Sequence, residues 1–565
     1  MLRNLIILIA WLCLPLFATA GTVSDEIRRG VTQLRSGDDL TVNGDSLSSL
    51  IVLPALYERL GFAPLWTQTA AIDQLIDAID NIDTDGLDSR DYHQAALHTL
   101  RQQLENNVQP NSALSAGYDL LLTDSLIRLG YHLLAGKVDP EKLDTNWNMN
   151  RSIGDLDTIL AMAGAVQNAR IPQLLERLRP QHPVYAHLKK ALARYRAIQL
   201  HGGWGKIANG STLKPGMSDP RVPTVRRRLA VSGEFEGSAT TSQQFDGVLE
   251  NAVKVFQVHH GLAPDGAVGP ATLAAMNVPV TARIDAIRVN LERARWVLHK
   301  LPEKFVLVDI AGFEVRLMRD GRAIWSTRAQ VGKPYRKTPV FSDTIRYLEI
   351  NPTWTVPPTI LKQDILPRLK KDPGYLNEKD MQVLTFSGTP VDSAAIDWRL
   401  YPQKPFPYLI RQRPGPHNAL GRIKFMFPNP HAVYLHDTPS RGLFERNERA
   451  FSSGCIRIQH PFEFATLLLD DPAWTEQRLE DVVASKETTR VPLGKPMTVI
   501  LLYWTVNAYG DGSVTFKKDI YARDGAILAA LQQAFSFRKN LILNAERSLL
   551  ERAEIHSVAG FTADI

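Results

Sequence analysis

Cysteine is nearly absent from this chain: Cys13 and Cys455 are the only two in 565 residues. Cys13 lies in "MLRNLIILIAWLCLPLFATAG", where a basic start at Arg3 leads into an apolar run from Leu5 to Phe17 and then Ala18-Thr19-Ala20. That layout is the pattern of a secretory signal peptide cleaved after Ala20. Cleavage leaves a single cysteine, which excludes an internal disulfide. The apolar run is short for a membrane span, so membrane contact is expected only if the signal stays uncleaved as an anchor. Ala10-Trp11-Leu12 lacks the small residues of a lipoprotein processing site, and lipidation is not expected.

A strong charge of one sign is lacking as well. The formal balance is +6 with a pI near 9.1, and loss of Arg3 with the signal trims it by one. This mild excess favours an anionic partner such as cell wall, lipid headgroup or nucleic acid, and export makes nucleic acid the least expected. Spaced metal ligands are missing too: His259-His260 has no Cys or acidic partner at ligand spacing, so surface or packing roles are expected there.

What is present is ordinary globular composition, 44% apolar and 22% charged, over a length suited to three or four domains. Residues 1–20 are the signal. Residues 21–213 read as a helical domain, because "DEIRRGVTQL", "DSLSSLIVLPALYERLGFAPLW" and "SALSAGYDLLLTDSLIRLGYHLLAG" repeat apolar positions at helical spacing. Asp119, Asp124 and His132 on the last of these are expected to be solvated or capping groups. After a Gly- and Lys-rich loop, residues 214–280 read as three short helices with Val225, Leu229, Leu249, Val253, Phe256 and Leu273 inward. A connecting helix is expected over 281–303.

From Lys304 the period changes to short β-rich alternation, with a hairpin turn at Asp320-Gly321. A mainly β domain, an antiparallel sandwich, is expected over 304–525. Residues 357–410, rich in Pro, Lys and Asp with helical pieces, form a long insertion of the kind that serves as a lid or binding loop. Residues 526–565 read as a closing helix and tail. The fold class is thus multidomain α+β.

A lone thiol in an exported chain needs a reason. A buried apolar cysteine is the bland one, but "AFSSGCIRIQHP" gives Cys455 a polar, turn-like setting. Cysteine attacks as thiolate and needs a base, usually histidine. Among His417, His431, His436 and His460, His436 ends the alternating "AVYL" and begins the connection that returns to Cys455. A small-Gly-Cys turn also presents successive N–H groups, suiting Ser453, Gly454 and Cys455 to an oxyanion hole.

Two resemblances follow from these residues. Leu229, Asp246, Ala252, Val253, Phe256, Gln257, Gly261, Leu262, Asp265, Gly266, Gly269, Thr272 and Asn277 resemble the signature of the three-helix peptidoglycan-binding domain. "YLHDT" with "SSGCIRI", supported by "GKPYRKTPVF", "NPTWTVPP" and "RQRPGPHNALGRIKFMF", resembles the active-site motif of the L,D-transpeptidase (YkuD) catalytic domain. With "YERLGFAPLW" and the insertion, the whole mature chain is similar to the large YcbB-type L,D-transpeptidases of Gram-negative bacteria.

The resemblance implies a periplasmic enzyme acting on peptidoglycan stem peptides and glycan, with cell-wall synthesis partners and neither metal nor organic cofactor. It implies Cys455 as nucleophile and His436 as general base, the imidazole oriented by the carbonyl of Asp437 or by its carboxylate. Arg457 and Tyr434 are candidate substrate contacts, against a surface ion pair for the first and strand packing for the second. Trp354 is a candidate pocket wall, against a core aromatic. Many family members carry His before the Gly-Cys pair and Asn two residues after Cys, where this chain has Ser453 and Arg457. The implied reaction is a 3→3 cross-link through a Cys455 thioester with release of D-Ala, and a carbapenem is implied to acylate the same thiol. The alternatives are an L,D-carboxypeptidase, a cysteine peptidase of wall peptides, or a non-catalytic wall-binding scaffold.

Overall fold

The computed structural model describes residues 22–106, 111–149, 157–237, 241–401 and 404–535. The expected signal peptide and the tail beyond 535 lie outside them. Among the described residues no helix is long and apolar enough to cross a membrane.

The N-terminal region is helical, as expected. Its first helix, Val23–Ser36, starts on a capping box between Thr22 and Asp25 and ends at Gly37, whose φ of 82° allows the left-handed cap. The central helix, Ser112–Ala135, is buried around most of its circumference. Asp119, Asp124 and His132 are therefore not solvated: they are 5%, 0% and 0% exposed. Asp119 accepts the N–H groups of Leu65 and Trp66, and Asp124 those of Ser48 and Ser49 together with His93. A carboxylate can be buried this way because several donors replace its water. Helix Val280–Val297 is no simple connector. It is enclosed by the helical region and the β domain, with Arg295 and Glu292 paired in its fully buried stretch.

The segment 214–280 forms helices Val222–Ser232, Gly247–His259 and Pro270–Met276 around its own apolar core. His260 stacks between Phe256 and Phe516, and His259 faces Glu234, so the pair serves packing and surface contact.

In the C-terminal domain the strands are β1 (Lys304–Asp309), β2 (Glu314–Arg319), β3 (Arg322–Gly332), β4 (Phe341–Ile350), β5 (Trp354–Thr355), β6 (Met381–Leu384), β7 (Pro390–Val391), β8 (Leu409–Gln412), β9 (Ile423–Met426), β10 (Leu435–His436), β11 (Ala450–Ser452), β12 (Ile456–Ile458) and β13 (Thr489–Leu502). Nine of them make one sheet in the order β11-β3-β12-β10-β9-β4-β13-β1-β2, and a further β2–β3 pairing closes it on itself. The expected all-antiparallel arrangement is not what forms. β10 runs parallel to β12, β11 to β3 and β13 to β1. The sheet is mixed because connections such as 437–455 return to the same edge by crossover rather than by hairpin.

The insertion also differs from a purely helical cap. Its short helical pieces at Pro358–Leu369 and Tyr375–Glu378 pack on a four-stranded antiparallel sheet, β5-β8-β6-β7, around a separate core. By contrast, the helical region and the large sheet share one continuous core, from Ile27 to Leu531.

Candidate active site

Strand register builds the site. In β12, Ile456 and Ile458 are fully buried, so Cys455 and Arg457 face the opposite side. In β10, Leu435 fills the core and Tyr434 and His436 take that same opposite face. The parallel pairing sets Leu435 beside Ile456 and His436 beside Arg457, and the Ile456 N–H donates to the Tyr434 carbonyl at 2.9 Å. Cys455, His436, Tyr434 and Arg457 therefore share one face of adjacent strands.

The register continues outward. Gln330 of β3 lies beside Arg457, Lys424 of β9 beside His436, Glu349 of β4 beside Lys424, and Arg490 of β13 beside Glu349. One polar row thus crosses six strands, with His436 between two cations. Arg457 reaches Gln330 Oε1 at 3.3 Å, its Nε is buried without a hydrogen-bond partner, and no carboxylate pairs with it among the described residues. Lys424 Nζ sits 4.0 Å from the Tyr434 ring centroid.

His436 is 3% exposed, and its Nδ1 lies 2.5 Å from the carbonyl oxygen of Asp437. A carbonyl only accepts, so Nδ1 carries the hydrogen and Nε2 is left as the basic nitrogen. The carboxylate of Asp437 points elsewhere: it accepts the Arg422 N–H at 3.0 Å and faces the guanidinium groups of Arg422 and Arg441 at 3.6 and 3.5 Å. Burial, followed by the charge of Arg457, pushes the imidazole down to about 3. Burial pushes the Cys455 thiol up, against the pull of the Tyr434 N–H, Lys424 and Arg457. Cys455 is nevertheless half-exposed at the surface and is the free cysteine of the described residues.

The turn before Cys455 depends on Gly454, whose φ of 123° suits glycine alone. Its N–H is occupied by Ser452 Oγ at 3.1 Å. The N–H groups of Ser453 and Cys455 have no partner among the described residues, which leaves two of the three expected oxyanion donors unengaged. Thr338 fixes the turn from behind, accepting the Gly332 N–H at 2.9 Å and donating to the Gly454 carbonyl at 2.8 Å. Gly332 is required there, since a Cβ would lie 2.1 Å from the Arg336 carbonyl oxygen. Arg336 then ties the turn to the insertion: Nη1 reaches Ser453 Oγ at 2.8 Å and Asp364 at 2.5 Å, and Nη2 reaches Gln363 at 2.8 Å. Trp354 packs against the insertion's core and pairs with Gln412.

Sequence reading missed Lys424, Gln330, Thr338 and Arg336. The last two lie in "GKPYRKTPVF", a motif noted without a role for its side chains.

Residues 303–493 match the family model described as "L,D-transpeptidase catalytic domain". The chain carries an L,D-transpeptidase catalytic domain. Residues 52–192 match "Scaffold domain" and residues 218–276 "Putative peptidoglycan binding domain", so the three stand in the order scaffold, peptidoglycan-binding, transpeptidase. A curated Haemophilus influenzae protein named "Putative L,D-transpeptidase" is 40% identical over 225 residues, which is 39% of this chain and 45% of that protein. The match thus spans less than half of the relative's length. Solved L,D-transpeptidase structures from Xylanimonas cellulosilytica (14% identity, TM-score 0.17, 52% of this chain and 99% of that one) and Stackebrandtia nassauensis (13%, 0.21, 52% and 97%) overlap weakly. At those scores they add nothing to the assignment of the transpeptidase domain.

Proposed function

We propose that the protein is a periplasmic peptidoglycan L,D-transpeptidase forming 3→3 cross-links between diaminopimelate residues through a Cys455 thioester. The observation that carries this reading is the placement of Cys455 and His436 on one face of adjacent parallel strands, with Nδ1 of His436 hydrogen-bonded to the Asp437 carbonyl. The transpeptidase and peptidoglycan-binding domains on one chain support the substrate class.

In this mechanism the Cys455 sulfur attacks the carbonyl of the third stem residue as its proton passes to His436 Nε2. The oxyanion takes the N–H groups of Ser453 and Cys455, each worth about 2.7–4 kcal/mol in comparable sites. Collapse breaks the amide bond to D-Ala, which leaves with the proton from His436. The diaminopimelate side-chain amine of a second stem, deprotonated by His436, then attacks the thioester and restores the thiol. Arg457, a half-buried cation without a carboxylate partner among the described residues, suits a carboxylate of the stem.

The test is incubation with disaccharide-tetrapeptide and mass spectrometry of the products, beside Cys455→Ala. Dimers lacking one D-Ala are expected from the native protein and none from the variant. Tripeptide monomers alone would make it an L,D-carboxypeptidase, and unchanged substrate a binding protein. Acylation by a carbapenem, read as an intact-mass increment on the native protein only, checks the nucleophile independently.

A further inference from the structure

The loop that leads into β10 holds the reacting sulfur through its backbone. The Cys455 thiol donates to the carbonyl oxygen of Ala432 at 3.7 Å, within the longer reach of a sulfur hydrogen bond. A carbonyl only accepts and a thiol has one proton, so in the free protein that proton points at Ala432 and away from His436. The Tyr434 N–H, two residues on, points at the same sulfur and favours its anion. One carbonyl and one N–H from a three-residue stretch therefore bracket Sγ, the first suited to the thiol and the second to the thiolate.

This convergence depends on an uncommon backbone. Ala432 has φ 51°, in the left-handed region that a residue with a Cβ enters at a cost. Ala432 is exposed, so packing of its methyl group does not impose the turn. Asn429, between Pro428 and Pro430, does. Its Nδ2 donates to the Phe427 and Val433 carbonyls at 2.7 and 2.8 Å, and its Oδ1 accepts the His431 and Val433 N–H groups at 3.0 and 3.3 Å. His431 then meets Phe341 edge to face with centroids 4.8 Å apart, and Val433 is buried, which seats the loop on the core.

We propose that Asn429 is a positioning residue for the reaction: through the left-handed turn at Ala432 it holds Sγ in a backbone cradle, with the thiol proton on the Ala432 carbonyl at rest and the Tyr434 N–H on the sulfur once it ionises. When a donor stem binds, rotation about the Cβ–Sγ bond turns the S–H from Ala432 to His436 Nε2 without moving the sulfur. The proton then passes to the imidazole as the sulfur attacks. That last step rests on the function proposed above, and the cradle itself does not.

The full chain carrying Cys13→Ser has Cys455 as its only thiol, so its S–H stretch is a single infrared band in a window clear of other protein absorption. Three further substitutions in that chain separate backbone from side chain. Asn429→Ala frees the loop. Ala432→Val places a β-branched residue where φ is positive, which it resists, whereas Ala432→Gly adopts that φ freely. In Asn429→Ala and Ala432→Val the band is expected to move to higher wavenumber and broaden, and in Ala432→Gly to stay where it was. The bond lost from the thiolate is charge-assisted and outweighs the neutral bond lost from the thiol. Iodoacetamide labelling at pH 8 is therefore expected to slow about three- to tenfold in the first two variants, the whole labelling curve being displaced to higher pH with its limiting rate kept. Ala432→Gly is expected to label like the parent. A band or a curve that stays put in both Asn429→Ala and Ala432→Val would overturn the cradle, as would an equal displacement in Ala432→Gly. A lowered limiting rate without displacement would make Asn429 merely structural and overturn it too. Neither measurement needs a substrate: a protein that shows these shifts yet makes no cross-link defeats only the proposed activity, and one that cross-links without them defeats this inference alone.

Discussion

The proposed reaction has Cys455 give its proton to His436 during attack, in place of a standing thiolate–imidazolium pair. The thiol is pushed up by burial and the imidazole down to about 3. At neutral pH both are therefore uncharged, and the thiolate fraction grows about tenfold per pH unit as pH climbs toward the thiol's own pKa. Iodoacetamide labelling of the free protein is accordingly expected to accelerate continuously from about pH 6 to about pH 9. A plateau reached near pH 6 would show the ion pair instead. Lys424 and Arg457 both favour the thiolate, so Lys424→Met is expected to slow labelling at pH 8 by about three- to tenfold. The two candidate reacting residues are legible in the sequence because the expected signal cleavage leaves one thiol and an alternating strand ends on one histidine. Gln330, 127 residues from Arg457, is not legible, because only cross-strand register brings the two together.

At the scale of elements, the insertion is anchored to the reacting turn by one side chain. Arg336 bridges Ser453 to Asp364 and Gln363 in the short π-helical turn Leu361–Ile365. Asp364 is 46% exposed, so this contact contributes little to global stability, under about 1 kcal/mol. Its effect is positional, since it holds both the Ser453 N–H and the insertion relative to Cys455. Arg336→Ala is expected to lower kcat/KM for cross-linking at least about tenfold while leaving the thermal transition nearly unmoved. It is also expected to speed hydrogen exchange over 358–369. Unchanged kcat/KM would remove Arg336 from the machinery. The length of the insertion can be read from its Pro-rich composition, but its sheet cannot. Strands as short as Trp354–Thr355 and Pro390–Val391 carry too few residues to show a period.

Across the whole molecule, domain order follows from composition shifts and motifs, while the closed mixed sheet does not, since two of its three parallel pairings, β11 with β3 and β13 with β1, join segments far apart in sequence. The structure also places one buried, uncharged histidine in each of three regions. His132 in the scaffold domain, His260 in the peptidoglycan-binding domain and His436 in the transpeptidase domain are all held well below the ordinary imidazole value by burial. Each has neighbouring cations: Lys137, Arg128 and Arg295 for the first, Arg283 and Arg228 for the second, Arg457 and Lys424 for the third. The unfolded chain takes up protons at these positions near pH 6.5 and the folded chain does not. Stability is therefore full above that value and falls as pH drops below it, by about 2 kcal/mol per site between pH 7 and pH 5. His260→Phe keeps the stack with Phe256 and Phe516 and removes the titration. In calorimetry the transition of the peptidoglycan-binding domain is then expected to lose most of its downward shift between pH 7 and pH 5, while the other transitions keep theirs. An unchanged shift in that variant would mean that His260 takes up its proton without unfolding.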